Sequence, residues 1–126
     1  MRDASRPAPW LEGVRDLIHD RFREPLSLDD LAMQAGVHPV HLARAFRAAY
    51  DASPGEYSRR LRLRWASEQL LKLDRGIADI ADEAGFADQS HFTRAFRAVY
   101  GLPPGAWRAS RSPNSRRSEP ARSEAI

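Results

Sequence analysis

The chain has 126 residues, 42% of them hydrophobic, with a formal net charge of +3 and no cysteine. That length suffices for one compact unit or two very small ones, and the missing thiols exclude disulfides, thiolate metal sites and cysteine nucleophiles. No apolar run approaches the ~20 residues of a membrane span and the start, MRDASRPAPW, is polar and proline-broken, so a soluble cytoplasmic protein is expected.

Proline and glycine divide the sequence into short pieces, each of which reads as a helix. The first covers about residues 9–23, with Leu11, Val14, Ile18 and Phe22 on one stripe and Leu17 beside it, and Glu24-Pro25 closes it. Ser27, with Asp30 as the acid three residues on, caps a helix that runs to Ala35. Gly36 then supplies the left-handed residue that lets the chain leave one helix and start another. Pro39 suits the first position of the next helix, which runs to about Tyr50. Ser53-Pro54 repeats that start and opens a long helix through Tyr57, Leu61, Trp65 and Leu70 to about Leu73. A helix from Ile77 to Ala84 turns at Gly85-Phe86, and Asp88 caps another from Gln89 to Tyr100. A last short turn begins at Pro104 and includes Trp107. No stretch sustains period-two alternation, so the expected fold class is all-α. Residues 1–8 are expected to be flexible, 9–109 to be folded, and 110–126, rich in Ser, Pro and charge, to be a disordered tail.

Two of these pieces are copies. Adding 49 carries Asp30 to Asp79, Ala32 to Ala81 and Gly36 to Gly85; adding 50 carries His41 to His91, Arg44 to Arg94, Phe46 to Phe96, Arg47 to Arg97, Tyr50 to Tyr100 and Pro54-Gly55 to Pro104-Gly105. One supersecondary unit is therefore present twice, at about residues 27–50 and 77–100, with one extra residue just after Gly85. An apolar helix, a glycine turn and a second helix with a polar face is the build of a helix-turn-helix, whose second helix enters the DNA major groove.

At 100° per residue the second helix of the first copy places Leu42, Ala45, Phe46 and Ala49 on a core arc and Val40, Ala43, Arg44 and Arg47 opposite. In the second copy Phe92, Ala95, Phe96 and Val99 form the core arc, and Ser90, Thr93, Arg94 and Arg97 the outward one. The basic side chains comprise 19 arginines and one lysine, and an arginine fork suits phosphate oxygens and guanine edges, although any one outward arginine is more often a solvated side chain. Arginine at both equivalent outward positions of both copies is what favours the nucleic-acid reading. Arg44 and Arg94 are candidates for base edges, Arg47 and Arg97 for phosphates, and Gln89, Ser90 and Thr93 for bases or phosphates near a helix N-terminus. Val40 and Ala43 suit a thymine methyl, while His41 and His91 remain open between phosphate contact and packing. His38 and His41 lack a third ligand, so no metal is expected, and the carboxylates in first turns are explained by capping. Twenty residues of long helix would make a rod of about 30 Å, close to the ~34 Å between successive major-groove faces, with Arg59, Arg60, Arg62 and Arg64 giving it a basic character.

From about Leu26 to Arg108 the chain resembles the DNA-binding domain of the AraC/XylS transcription regulators, most specifically in IADIADEAGFADQSHFTRAFRAVYGLPPGAWR. The resemblance implies seven helices, two helix-turn-helix units joined by a long helix, and transcription control by binding promoter DNA, often with RNA polymerase as a further partner. It places base reading on Val40, Ala43 and Arg44 in the first unit and on Gln89, Ser90, His91 and Arg94 in the second. Val40 and Ala43 are small where such readers often carry longer groups, which leaves first-unit specificity resting mostly on Arg44. Many members carry an effector or dimerisation domain ahead of this one, so the chain is either a stand-alone member or a fragment. No catalysis, cofactor, membrane partner or small-molecule ligand is expected.

Overall fold

Proline in a first turn and glycine after a last one set half of the helix boundaries, as their backbone restrictions require. The protein is described here by a computed structural model covering residues 7–72 and 74–111. Within it lie seven α-helices and no strand: α1 (Pro9–Arg21), α2 (Leu28–Ala35), α3 (Pro39–Tyr50), α4 (Pro54–Leu70), α5 (Ile77–Ala84), α6 (Gln89–Tyr100) and α7 (Pro104–Arg111). Among these residues no helix is long and apolar enough to cross a membrane. Of the flexible start expected over residues 1–8 and the disordered tail expected over 110–126, residues 1–6 and 112–126 fall outside the described residues. Ala8 is the N-cap of α1, and its carbonyl accepts from the N–H groups of Leu11 and Glu12.

The chain divides between residues 62 and 63 into two compact units, and α4 contributes to both. In the first unit, Leu11, Val14 and Ile18 of α1 meet Leu31 and Ala32 of α2 and Leu42 and Phe46 of α3, with Tyr57 and Leu61 of α4 packed against them. In the second, Leu63, Ala66 and Leu70 of α4 meet Ile80, Ala81 and Ala84 of α5 and Phe92 and Phe96 of α6, with Trp107 of α7 completing the core. Leu63, Ala66 and Leu70 repeat the three-and-four spacing of Leu11, Val14 and Ile18. The repeat thus reaches one helix further back than the sequence comparison showed. Residue types changed between the copies while the apolar spacing stayed.

From residue 41 to 50 of α3 and from 91 to 100 of α6 the burial pattern is the same at every position. It corrects the expected core arcs at one place in each: Ala49 is exposed and Val99 is 59% exposed. The last turn is closed instead by Tyr50, whose ring lies 4.7 Å from that of Phe46, and by Tyr100, 4.4 Å from that of Phe96. A large ring one turn on covers the phenylalanine, so the neighbouring position needs no apolar burial.

An arginine holds the chain leaving the first helix of each unit. Arg62 donates through Nε to the Phe22 carbonyl at 2.6 Å and through Nη2 to that of Glu24 at 3.1 Å, while Arg108 donates likewise to the carbonyls of Leu70 at 2.7 Å and Arg75 at 2.5 Å. Carbonyls at a helix C-terminus have no intrahelical donor, and a planar five-donor fork satisfies two at once. Burial, and then the neighbouring Arg59, pull the Arg62 guanidinium below its ordinary value. Arg62 is therefore a strut of the first unit, which corrects its expected role as part of a basic rod.

The Arg108 fork takes the carbonyl of the residue at which α4 stops. Leu71 and Lys72 donate to the carbonyls of Glu68 and Gln69, three residues back, in a tightened last turn. Helix α4 has 17 residues, about 25 Å at the usual rise, and ends at Leu70 rather than near residue 73. Helix α7 goes the other way and continues past the expected end at residue 109: Ser110 Oγ donates to the Trp107 carbonyl at 2.8 Å, and the Arg111 guanidinium lies 4.4 Å from the Trp107 ring centre.

Replacing Arg62 with Gln is expected to lower unfolding stability by about 1–3 kcal/mol, since charge-assisted bonds to two carbonyls are lost. Gly36→Ala is expected to cost about 1–2 kcal/mol through its left-handed backbone alone, because a β-carbon there meets nothing within 4 Å. Urea denaturation of each variant checks both.

Candidate nucleic-acid interface

Each helix-turn-helix is built around the same stop. Gly36, at φ 73°, and Gly85, at φ 100°, sit left-handed after α2 and α5. The following N–H, of Val37 or Phe86, bonds back to the carbonyl of Ala32 or Ala81, at 3.1 Å in both copies. This six-to-one bond is the Schellman closure, and it satisfies a carbonyl that the helix end leaves open. Side chains then separate the copies: Phe86 is buried in the second core, whereas Val37 is only partly buried in the first.

The extra residue of the second copy changes how its outward helix begins. From Gly36 the chain needs two further residues, Val37 and His38, before α3; from Gly85 it needs Phe86, Ala87 and Asp88 before α6. His38 caps α3 through Nδ1, which accepts the Val40 N–H at 3.1 Å. Asp88 caps α6 through Oδ1, which accepts the His91 N–H at 2.7 Å. One helix thus opens on an imidazole reaching two residues on, and the other on a carboxylate reaching three, the usual N-cap geometry.

The expected outward residues lie on the open faces of these two helices. In α3, Val40 is 51% exposed, Arg44 and Arg47 are exposed and Ala43 is partly buried. In α6, Gln89, Ser90, His91, Arg94 and Arg97 are exposed and Thr93 is partly buried. Ala43 and Thr93 occupy the same step of the repeat, so the outward stripe sinks toward the core there in both copies. Among the described residues no hydrogen bond or ion pair engages the side chains of Arg44, Arg94 or Arg97. The two positions of the outward arcs that differ between copies are apolar in α3 and polar in α6: Val40 against Ser90 and Ala43 against Thr93.

Arg47 differs from Arg97. Its Nη2 donates to Glu56 Oε1 of α4 at 3.0 Å, and the same oxygen accepts the Ser53 N–H at 2.9 Å while Ser53 Oγ accepts the Glu56 N–H at 3.1 Å. Ser53 and Glu56 form a reciprocal capping box at the start of α4. The Ser53 N–H, and after it Arg47, hold the Glu56 carboxyl below its ordinary value despite some opposing desolvation. The sequence pointed to Ser53 as the start of this helix; the Glu56 half of the box and its link to Arg47, which joins two helices, come from the structure.

The histidines are placed in packing contacts. The His41 ring lies 5.4 Å from that of Trp10, and the His91 ring 5.4 Å edge-on from that of Phe86, while both side chains keep an exposed side. Among the described residues no group of three or more His, Cys, Asp or Glu side chains is placed to hold a metal ion.

Two glycine-turned helix pairs, each showing an arginine-bearing face, define a double helix-turn-helix domain. A family profile described as a helix-turn-helix domain matches residues 31–110. The regulatory protein SoxS of Salmonella typhimurium is 34% identical over 98 residues, 78% of this chain and 92% of its own. The transcriptional regulator GbdR of Pseudomonas aeruginosa is 32% identical over 96 residues, 76% of this chain, which spans only 26% of GbdR. In fold, the domain is similar to the DNA-binding domain of AdpA, solved in complex with a target DNA, at a TM-score of 0.77 and 23% identity over 90% of this chain and 99% of that one. The chain belongs to the AraC/XylS family of transcription regulators, as its second copy suggested. It carries a DNA-binding regulator domain.

The depressed Glu56 carboxyl has a pH consequence with a definite sign. Its contribution to stability is complete above the unfolded value of about 4.5 and is lost as pH falls through the lower folded value. Glu56→Gln keeps an amide oxygen for the capping box but does not titrate. It is expected to flatten the acid limb of the stability curve below about pH 4.5, read by thermal melts between pH 6 and pH 3.

Proposed function

We propose that this chain is a sequence-specific transcription regulator that lays α3 and α6 into adjacent segments of the DNA major groove. The observation that carries the reading is that the matched arginines Arg44 and Arg94 stand exposed and unengaged, among the described residues, one turn into two helices whose burial pattern is the same from residue 41 to 50 and from 91 to 100. A free guanidinium at that place can meet guanine O6 and N7 with two bonds. In this reading Val40, Ala43 and Arg44 read bases in the first unit, and Gln89, Ser90, His91 and Arg94 in the second. Arg47, Thr93 and Arg97 meet phosphates. The apolar Val40 and Ala43 leave α3 with one long polar reader, so the second unit carries more of the discrimination. Support for a DNA partner comes also from AdpA, whose domain of the same fold is solved on its target DNA. Regulation at a promoter, with RNA polymerase as a further partner, completes the reading.

The test starts from a site selected out of a random duplex pool. Arg94→Ala is expected to weaken binding to that site by about 1–3 kcal/mol and to relax preference at one base pair, whereas Arg97→Gln is expected to weaken all sequences alike and to lower the salt slope by about 0.9. If neither substitution changes affinity or slope, α6 is not on the DNA and the reading fails.

A further inference from the structure

The repeat makes Arg47 and Arg97 equivalent, yet their surroundings differ in charge. Residue for residue, 50 positions on from the Ser53–Glu56 box stand Pro103 and Ala106. Proline has neither the N–H nor the hydroxyl that the box uses, and alanine has no carboxylate. The rest of the junction is retained: Pro54-Gly55 becomes Pro104-Gly105, and the Trp107 N–H bonds to the Pro103 carbonyl at 2.9 Å, as the Tyr57 N–H does to that of Ser53. The two α-helical starts therefore have the same backbone, and only the first presents an acid to the arginine before it.

That acid is fixed in place. The Glu56 oxygen that meets Arg47 also takes the Ser53 backbone N–H, so its position is set by the helix start and not by a flexible ion pair. Arg47 and Glu56 remain 57% and 43% exposed, which leaves the pair open to exchange. We infer that Glu56 is a built-in competitor for the DNA backbone that holds Arg47 on the protein, so that Arg97 is the dominant phosphate contact of the pair. The inference rests on the reading of α3 and α6 as the DNA-facing helices. An arginine that stays on its carboxylate brings no net charge to the duplex and releases no counterion; one that is free releases about one. Glu56 thus sets the balance of backbone grip between the two copies, which keeps the first unit's hold on DNA weak and salt-tolerant.

The experiment titrates the full chain on its selected duplex at several salt concentrations, with Glu56→Gln, Arg47→Gln, Arg97→Gln and the Arg47→Gln/Glu56→Gln pair. Gln at 56 preserves the capping box, and thermal melts confirm that each variant is folded. Glu56→Gln is expected to tighten binding and steepen the salt slope by about 0.9, and Arg97→Gln to flatten it by about 0.9. Arg47→Gln alone is expected to flatten the slope less than Arg97→Gln does, and in its presence the gain from Glu56→Gln should vanish. A gain that persists without Arg47 would be a general charge effect and would overturn the inference, as would a slope loss from Arg47→Gln equal to that from Arg97→Gln. An effect of Arg97→Gln with none of Glu56→Gln overturns the competitor role alone. No effect of Arg94→Ala or Arg97→Gln overturns this inference together with the DNA reading beneath it.

Discussion

A helix that must stop within one residue and hand over to another at a fixed angle needs a left-handed residue whose flanking N–H groups close the open carbonyls behind it. Gly36 and Gly85 meet that need, and the rest of each unit follows from it. The six-to-one bonds from Val37 and Phe86 fix the exit direction, which turns Leu42 and Phe46, or Phe92 and Phe96, onto the apolar face of the helix before. With those rings buried, helical geometry leaves Arg44 and Arg94 no orientation except outward. A side chain at the glycine would strain the stop, and the outward face would lose its fixed aim before any outward residue had changed.

Above that shared constraint the copies are tuned apart. The second has one more residue between stop and helix, a phenylalanine in its core and a carboxylate cap; the first has a histidine cap and an acid tied to its second arginine. The outward arginines also divide by task from the inward ones. Arg62 and Arg108 spend their forks on carbonyls of the chain that leaves α1 and α4, while Arg44, Arg94 and Arg97 have no such engagement among the described residues. Arginine content alone therefore overstates the surface available to phosphate.

Much of this was readable in the sequence because the signals were local. Ser27, Gly36, Pro39, Asp88 and Pro104 each act through a backbone restriction or a cap within a few residues, and the boundaries of α2, α3, α5 and α6 fell where those residues put them. What was missed depends on partners far along the chain. Arg62 reaches carbonyls 38 and 40 residues away, Arg108 reaches carbonyls 33 and 38 away, and no periodicity encodes that. Ala49 and Val99 lay at the centre of the apolar arc by angle, but the rings of Tyr50 and Tyr100 already cover the end of each core. The earlier halves of the repeat, α1 and the end of α4, escaped notice because the match is one of spacing without identity.

If the outward arginines of α3 and α6 meet DNA while the inward forks of Arg62 and Arg108 only hold the fold, the two sets must respond differently to a duplex. Arginine side-chain Nε–H resonances, followed as the selected duplex is added, test it most directly. The signals of Arg44, Arg94 and Arg97 are expected to move on binding while those of Arg62 and Arg108 stay in place. Movement of Arg62 and Arg108 with Arg44 and Arg94 unchanged would contradict it.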